Sequence, residues 1–216
     1  MLSADTIAFL EALQANNSRA WFETHKADYK RHWKDAGENF ARSFCDILQS
    51  NVDQTLVPKV FRLHRDLRFS KDKTPYHTHL HVSAMTAAGS SDAPSFMLGV
   101  QPGRLSIGMG VFAFTKTNLE RWRDCAGAPG SSPLMTELTG LREQGFRFNL
   151  PELKKTPKGY PTGHQHDEWL RRKGLHVWWD SADVTVCLGE DGARASATVA
   201  AQFIPLYTEL VALGAD

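Results

Sequence analysis

Between Lys59 and Lys73 the chain carries six cations, Lys59, Arg62, Arg65, Arg68, Lys71 and Lys73, against two anions, Asp66 and Asp72, a local excess of four positive charges. Residues of these types at this spacing suit one of two chemistries. They can hold a phosphate or carboxylate, or they can neutralise one another as a structural ion-pair network. Read as a strand from Val60 to Phe69, the segment puts Arg65 on one face with Leu63, Leu67 and Phe69. An arginine there needs a partner, either Asp66 or Asp72 or a bound anion, and the residue types leave both open. In Asp72-Lys73-Thr74-Pro75-Tyr76, proline fixes its own φ and pushes Thr74 toward extended geometry, which holds Lys73 and Tyr76 in defined directions. If the segment serves a ligand, Arg62, Arg65, Arg68 and Lys73 hold the anion. Asp66 or Asp72 then orients them or acts as base, and Tyr76 and His79 are the candidate proton donors.

His77, His79 and His81 alternate, so on a strand from His77 to Met85 they project from one face, with Thr78, Leu80 and Val82 on the other. Such imidazoles could ligate a transition metal if a carboxylate, such as Asp167 beside His164 and His166, completed the set. A polar sheet face without metal is the simpler reading, and no metal is assigned. A second basic stretch, Arg142 to Lys173, holds eight cations against four anions. The two stretches together could form one positive cleft on an otherwise acidic surface. Gly108-Met109-Gly110 is too short to cradle a phosphate and is read as a place where another backbone approaches. No cofactor is expected.

The elements that must position these residues can be read from periodicity. Ser3 caps a helix with Ile7, Leu10 and Leu13 on its apolar face, and Asn16-Asn17-Ser18 breaks it and caps the next. Phe22, Tyr29, Trp33, Phe40, Phe44, Ile47 and Leu48 predict one long amphipathic helix over 19–50. From Pro58 the period changes to two, with further strands over Ser95–Gln101 and Arg104–Phe112 joined by a tight Gln101-Pro102-Gly103-Arg104 turn. Pro94 and Gly89-Ser90-Ser91-Asp92 mark an exposed connection. Helices follow over Asn118–Cys125, Pro133–Gln144 and His166–Lys173, with a structured loop over 151–164 and a final helix from Ala193 to Leu213 kinked before Pro205. The predicted fold is one α+β domain over residues 1–216, a mostly antiparallel sheet flanked by helices with a long N-terminal helix. A subdivision near residue 115 is the alternative.

Composition narrows the classes of function. The 216 residues carry 25 Lys and Arg against 24 Asp and Glu, so no general basic coat for nucleic acid exists and any attraction for anions is local. No apolar run reaches the ~18 residues of a membrane helix, and Asp5 and Glu11 argue against a signal peptide, so a cytoplasmic protein without membrane contact is expected. Cys45, Cys125 and Cys187 form no Cys-x-x-Cys pair and read as reduced small hydrophobes. Three hypotheses remain: a binder of, or an enzyme acting on, an anionic small molecule; a nucleic-acid binder in which Trp169, Trp178, Trp179 and Tyr160 stack bases; and a structural or partner-binding protein.

The run Arg62-Leu63-His64-Arg65-Asp66-Leu67-Arg68-Phe69-Ser70-Lys71-Asp72-Lys73-Thr74-Pro75-Tyr76 resembles the hallmark of a bacterial and fungal family catalogued as domain of unknown function 2461. The likeness extends to Asn16-Asn17, Trp21-Phe22, the Gly108 and Gly110 strand, and Lys155-Thr156-Pro157-Lys158-Gly159-Tyr160. The resemblance implies that Arg62, Arg65, Asp66, Arg68, Phe69, Asp72, Lys73 and Tyr76 act as one unit, and it adds Lys158 and Tyr160 as candidate ligand contacts. It implies a histidine at 79 alone of the three, and a lysine where this chain has His77.

Overall fold

A computed structural model describes residues 1–87, 92–130, 132–160, 163 and 166–214. Its centre is an open six-stranded antiparallel sheet in the order β1-β2-β3-β4-β6-β5. The strands are β1 (Leu56–Val60), β2 (Leu80–Thr86), β3 (Ser95–Gln101), β4 (Arg104–Val111), β5 (Arg147–Phe148) and β6 (Leu175–Ser181). The β3–β4 hairpin closes as the sequence predicts, with Gly103 at φ 71° in the turn. β6 has no counterpart in the sequence reading, although Leu175 and Val177 alternate with His176 and Trp178.

One sheet face is apolar. Leu80, Val82, Phe96, Leu98, Leu105, Ile107, Met109, Leu175 and Val177 are all fully buried. They pack with helices α1 (Ala4–Ala15), α4 (Ala36–Gln49), α8 (Gly192–Ala201) and α9 (Ile204–Gly214) in one core. That core continues past residue 115 through Trp122 and Ala126 of α5 (Lys116–Gly127) and Leu138 of α6 (Pro133–Glu143). The whole is an α+β fold.

The long helix expected over 19–50 is interrupted. α2 (Arg19–Thr24) is capped by Ser18, whose Oγ accepts from Trp21 N, and it ends at His25. After the short α3 (Lys26–Asp28), residues 29–35 form a π-helical segment before α4 resumes the α-helical path. An inserted residue re-phases the helix without changing its apolar stripe, so periodicity alone does not register it. Trp33, Phe40 and Phe44 still lie in the core.

The strand expected over Val60–Phe69 stops at Val60, and β2 begins at Leu80 rather than His77. Phe69 is 95 % exposed rather than facing the core. The expected final helix is two, α8 and α9, bent by 61°, and no single helix among the described residues is long and apolar enough to cross a membrane. Asp92, expected in an exposed connection, is buried and accepts from Thr115 N at 2.7 Å and Asn118 Nδ2 at 2.8 Å. Gly89, Ser90, Ser91 and His164 lie outside the described residues.

Candidate functional site

The segment between β1 and β2 is a loop closed on itself. Its two legs meet where His64 bridges Tyr76, Arg65 N donates to Pro75 O at 2.9 Å and His77 N donates to Leu63 O at 2.8 Å. At the base, the Asn17 amide clamps the Tyr76 backbone from both sides, donating to its carbonyl at 2.9 Å and accepting from its N–H at 3.1 Å. The Tyr76 ring is buried and stacks on Phe22 at 4.3 Å, and burial raises its phenol pKa.

Above this base the charges satisfy one another. Asp72 accepts from Thr74 N at 2.9 Å and from Arg65 Nη1 at 2.5 Å, which holds its carboxyl at about 2. Arg65 Nη1 also donates to the carbonyl and hydroxyl of Thr74. Asp66 takes Arg68 in a fork, Nε at 3.0 Å and Nη2 at 2.7 Å, and accepts Arg68 N at 3.1 Å, and these bonds lower its pKa. The Lys73 ammonium donates to Leu67 O at 3.0 Å. These local side-chain bonds are why the segment is no strand: they offer its backbone partners that compete with a ladder. Arg62 is exposed and, among the described residues, makes no hydrogen bond or ion pair.

A second site lies on the polar sheet face, built by register. His81, Gly99, Ser106 and Asp180 form one row across four strands, and Ser83, Met97, Gly108, Trp178 and Arg147 form the next. Between them opens a cleft of about 290 Å³ lined by His79, His81, Gln101, Arg104, Arg147 and Trp178 together with Gly99, Val100 and Ser106. A Cβ on Gly108 would collide with the Val177 carbonyl and the Trp178 indole, so glycine there lets the indole lie across β4 as a wall.

Asp180 is the hub of this site. It accepts from Arg147 Nε at 2.6 Å, Ser106 Oγ at 2.5 Å and Arg104 Nη2 at 3.1 Å. Burial pushes its carboxyl up, but these donors outweigh it and hold it at about 2. The imidazoles run in a chain, His77 to His79 at 4.9 Å between ring centres and His79 to His81 at 5.8 Å. Burial and the neighbouring imidazoles bring His79 down to about 4. Burial lowers His81 and, with the charges of Arg65 and Arg62, also His77. All three are therefore neutral at neutral pH. Among the described residues no group of three or more His, Cys, Asp or Glu is arranged to hold a metal ion.

The predicted residues thus fall in three places. Arg62, Arg65, Asp66, Arg68, Asp72, Lys73 and Tyr76 belong to the loop, and His79 lines the cleft. Tyr160 and Lys158 sit elsewhere: the Tyr160 hydroxyl donates to Asp124 of α5 at 3.0 Å, and Lys158 is exposed. The second basic stretch is neutralised only in part, with Arg142 and the buried Arg172 sharing Glu168 and Arg171 on Asp167. Sequence reasoning missed Gln101, Arg104, Ser106 and Asp180. The signal for Asp180 was a Leu-His-Val-Trp-Trp-Asp run with period two over its first residues, but nothing in it says that β6 pairs with β4. The three cysteines are free, and burial raises each thiol. Comparison with curated proteins finds no match. A family model for a conserved hypothetical protein does match, over residues 5–208, and the chain belongs to that family, DUF2461.

Proposed function

We propose that the chain binds an anionic small molecule, phosphorylated or carboxylated, in the cleft on the polar sheet face, with the charged loop as its buttress. The observation that carries this reading is that Arg104 and Arg147 share a single carboxylate, Asp180. One positive charge is left over in a cleft with no acidic lining residue. Planar guanidinium forks anchored on one side are pre-organised for a phosphate or carboxylate on the other. Neutral imidazoles of His79 and His81 beside that position could accept a proton from a bound ligand, the role an enzyme would need.

The test is a thermal-shift panel of phosphate, sugar phosphates, nucleotides and carboxylates. A ligand at about a hundred times its dissociation constant adds ~2.7 kcal/mol, a rise of roughly 5 to 10 °C for a chain this size. The expected result is a rise with one class of anion that Arg104→Gln with Arg147→Gln abolishes and Lys73→Ala leaves in place. No rise with any anion overturns the reading.

A second reading, nucleic-acid binding, is favoured by one observation. Phe69 is 95 % exposed at the loop tip, with the Arg68 guanidinium 5.9 Å from its ring and Lys71 and Lys73 close by in sequence. An exposed ring among cations is a stacking platform for a base. Binding of a short oligonucleotide with a log-log salt slope of a few units, lost in Phe69→Ala, would favour it.

A further inference from the structure

On the polar sheet face the row through His81 runs Phe61, His81, Gly99, Ser106 and Asp180, since Phe61 N donates to His81 O at 2.9 Å and the ladder pairs the rest. Lys59, two residues back, faces the same way, with its ammonium 4.8 Å from the Phe61 ring. The Phe61 ring lies 5.2 Å from the His81 imidazole, and His79 lies 5.8 Å from it. Braced on that side, the imidazole leans against Gly99, its Cδ2 3.5 Å from where a Gly99 Cβ would stand. The Trp178 indole comes from the opposite side, from β6, to lie over Gly108. Gly99 faces Ser106, so Gly108 is its diagonal neighbour, roughly 7 to 8 Å away. Two rings therefore converge over two adjacent positions that carry no side chain.

A gap of this order admits one flat ring, which needs about 3.5 to 4 Å to each neighbour. The cleft, at about 290 Å³, is at the small end of the range for small-molecule sites, ~300 to 1,000 Å³, and suits one ring and its substituents rather than an extended chain. The Arg147 guanidinium is 5.7 Å from the Trp178 ring, so an anionic group held there is a direct substituent of a ring beside the indole, with no spacer between. The ring nitrogens of His79 and His81 and the Gln101 amide line the same cleft and make no hydrogen bond among the described residues. A ligand with donors or acceptors along its edge satisfies such groups.

We infer that the ligand of this cleft is a planar heteroaromatic anion, its ring seated over Gly99 between the His81 imidazole and the Trp178 indole, its anionic group on Arg104 and Arg147, and its polar edge toward His79 and Gln101. This rests on the reading of the cleft as an anion site and deepens it by naming the uncharged half of the ligand. It also gives the two glycines one task, since a side chain at either would fill the floor on which the ring lies. A neutral imidazole donates through one nitrogen and accepts through the other, so it can pair with a ring nitrogen or with an N–H.

The experiment is an NMR titration of the full chain, following the indole N–H signals of its six tryptophans, with Trp178 identified by the signal lost in Trp178→Leu. The probes are inorganic phosphate and three carboxylates of one charge: cyclohexanecarboxylate, benzoate and nicotinate. Benzoate is expected to bind about tenfold tighter than cyclohexanecarboxylate, the gain from stacking on two rings, and to move the Trp178 signal. Nicotinate, with a nitrogen on its edge, should gain about a further fivefold. Gly99→Val should remove both preferences and leave phosphate binding unchanged, whereas Arg104→Gln should weaken every probe. A Cβ at Gly99 meets His81 only at ordinary contact distance, and valine suits a strand, so this variant should keep its melting temperature. Equal affinities for benzoate and cyclohexanecarboxylate, or a preference that survives Gly99→Val, overturn the ring inference. Nicotinate no tighter than benzoate overturns the polar edge. Binding of inorganic phosphate alone overturns the ring inference and leaves the anion cleft standing, and binding of none of the four overturns both.

Discussion

In the loop of residues 62–76 each carboxylate meets its own arginine, whereas on the sheet face two arginines converge on one aspartate. Both regions hold arginines paired with aspartate, yet only the second keeps a charge uncommitted within a cavity. The loop also satisfies its backbone: Asp66 and Asp72 each accept the N–H two residues on, and Ser70 Oγ donates to Asp72 O. Such a unit holds a shape. The cleft leaves space and donors for something else, and a motif dense in charge can therefore be scaffold while the site beside it is made of residues scattered along the chain.

The sharpest way to break the contrast is to remove the loop's anchor. Tyr76 is buried, stacked on Phe22 and clamped by Asn17. Tyr76→Ala should destabilise the protein by about 3 to 5 kcal/mol, the range for truncating a buried aromatic. Urea denaturation followed by tryptophan fluorescence checks this. A loss below about 1 kcal/mol would mean the loop is not fastened to the helical layer. Tyr76→Phe keeps the ring and should cost far less.

Next in size is an effect of acid on the cleft side. His79 is lowered to about 4, and His77, His81 and His176 are lowered too, mainly by burial. Their pKa in the unfolded chain is ~6.5, so on acidification the unfolded state takes up protons first. The stability these neutral imidazoles contribute is complete above that value and is lost as pH falls from 6.5 toward 4. For His79 alone the loss is on the order of 2 to 3 kcal/mol. Denaturation midpoints at pH 7 and pH 4.5 measure it, and His79→Asn should flatten the difference. Asp72 of the loop and Asp180 of the cleft, both held at about 2, keep their charge through this window, so their ion pairs should not contribute. An unchanged slope in His79→Asn would show that the imidazole row is better hydrated than its packing implies.

How far the two regions were legible from sequence follows from the same physics. The β3–β4 hairpin, the Ser3 and Ser18 caps and the aromatic core of the N-terminal helices were readable, because turn chemistry and periodicity are local. The loop was recognisable as a unit, yet its conformation was misread as a strand, since period-two apolar residues carry no information about aspartates that turn back on their own backbone. The cleft was almost invisible. Ser106 and Asp180 meet across 74 residues, and only the pairing of β4 with β6 brings them together. His79 was singled out, but for chemistry within the loop. Arg104 is one exposed cation at a hairpin turn until Arg147 arrives from β5.

The smallest effects separate two arginines of the loop, Arg65 and Arg68, from each other. Arg65 has a side chain 21 % exposed and bonds Asp72, both polar groups of Thr74 and Ser70 Oγ, while Arg68 is 77 % exposed and hydrogen-bonds Asp66 alone. Removing Arg65 leaves several acceptors short of a donor, so Arg65→Ala should cost about 1 to 2 kcal/mol. Arg68→Ala gives up an exposed pair that water and salt already screen, and it should cost less than about 1 kcal/mol, less still at high ionic strength. Neither should change anion binding at the cleft, because both arginines are committed to the loop. Chemical denaturation of the two variants at low and high salt tests the order, and the phosphate titration tests the independence. If Arg68→Ala instead weakened phosphate binding as strongly as Arg104→Gln, the loop and the cleft would be one site, and the arginine fork on Asp66 would be a resting state that the ligand displaces.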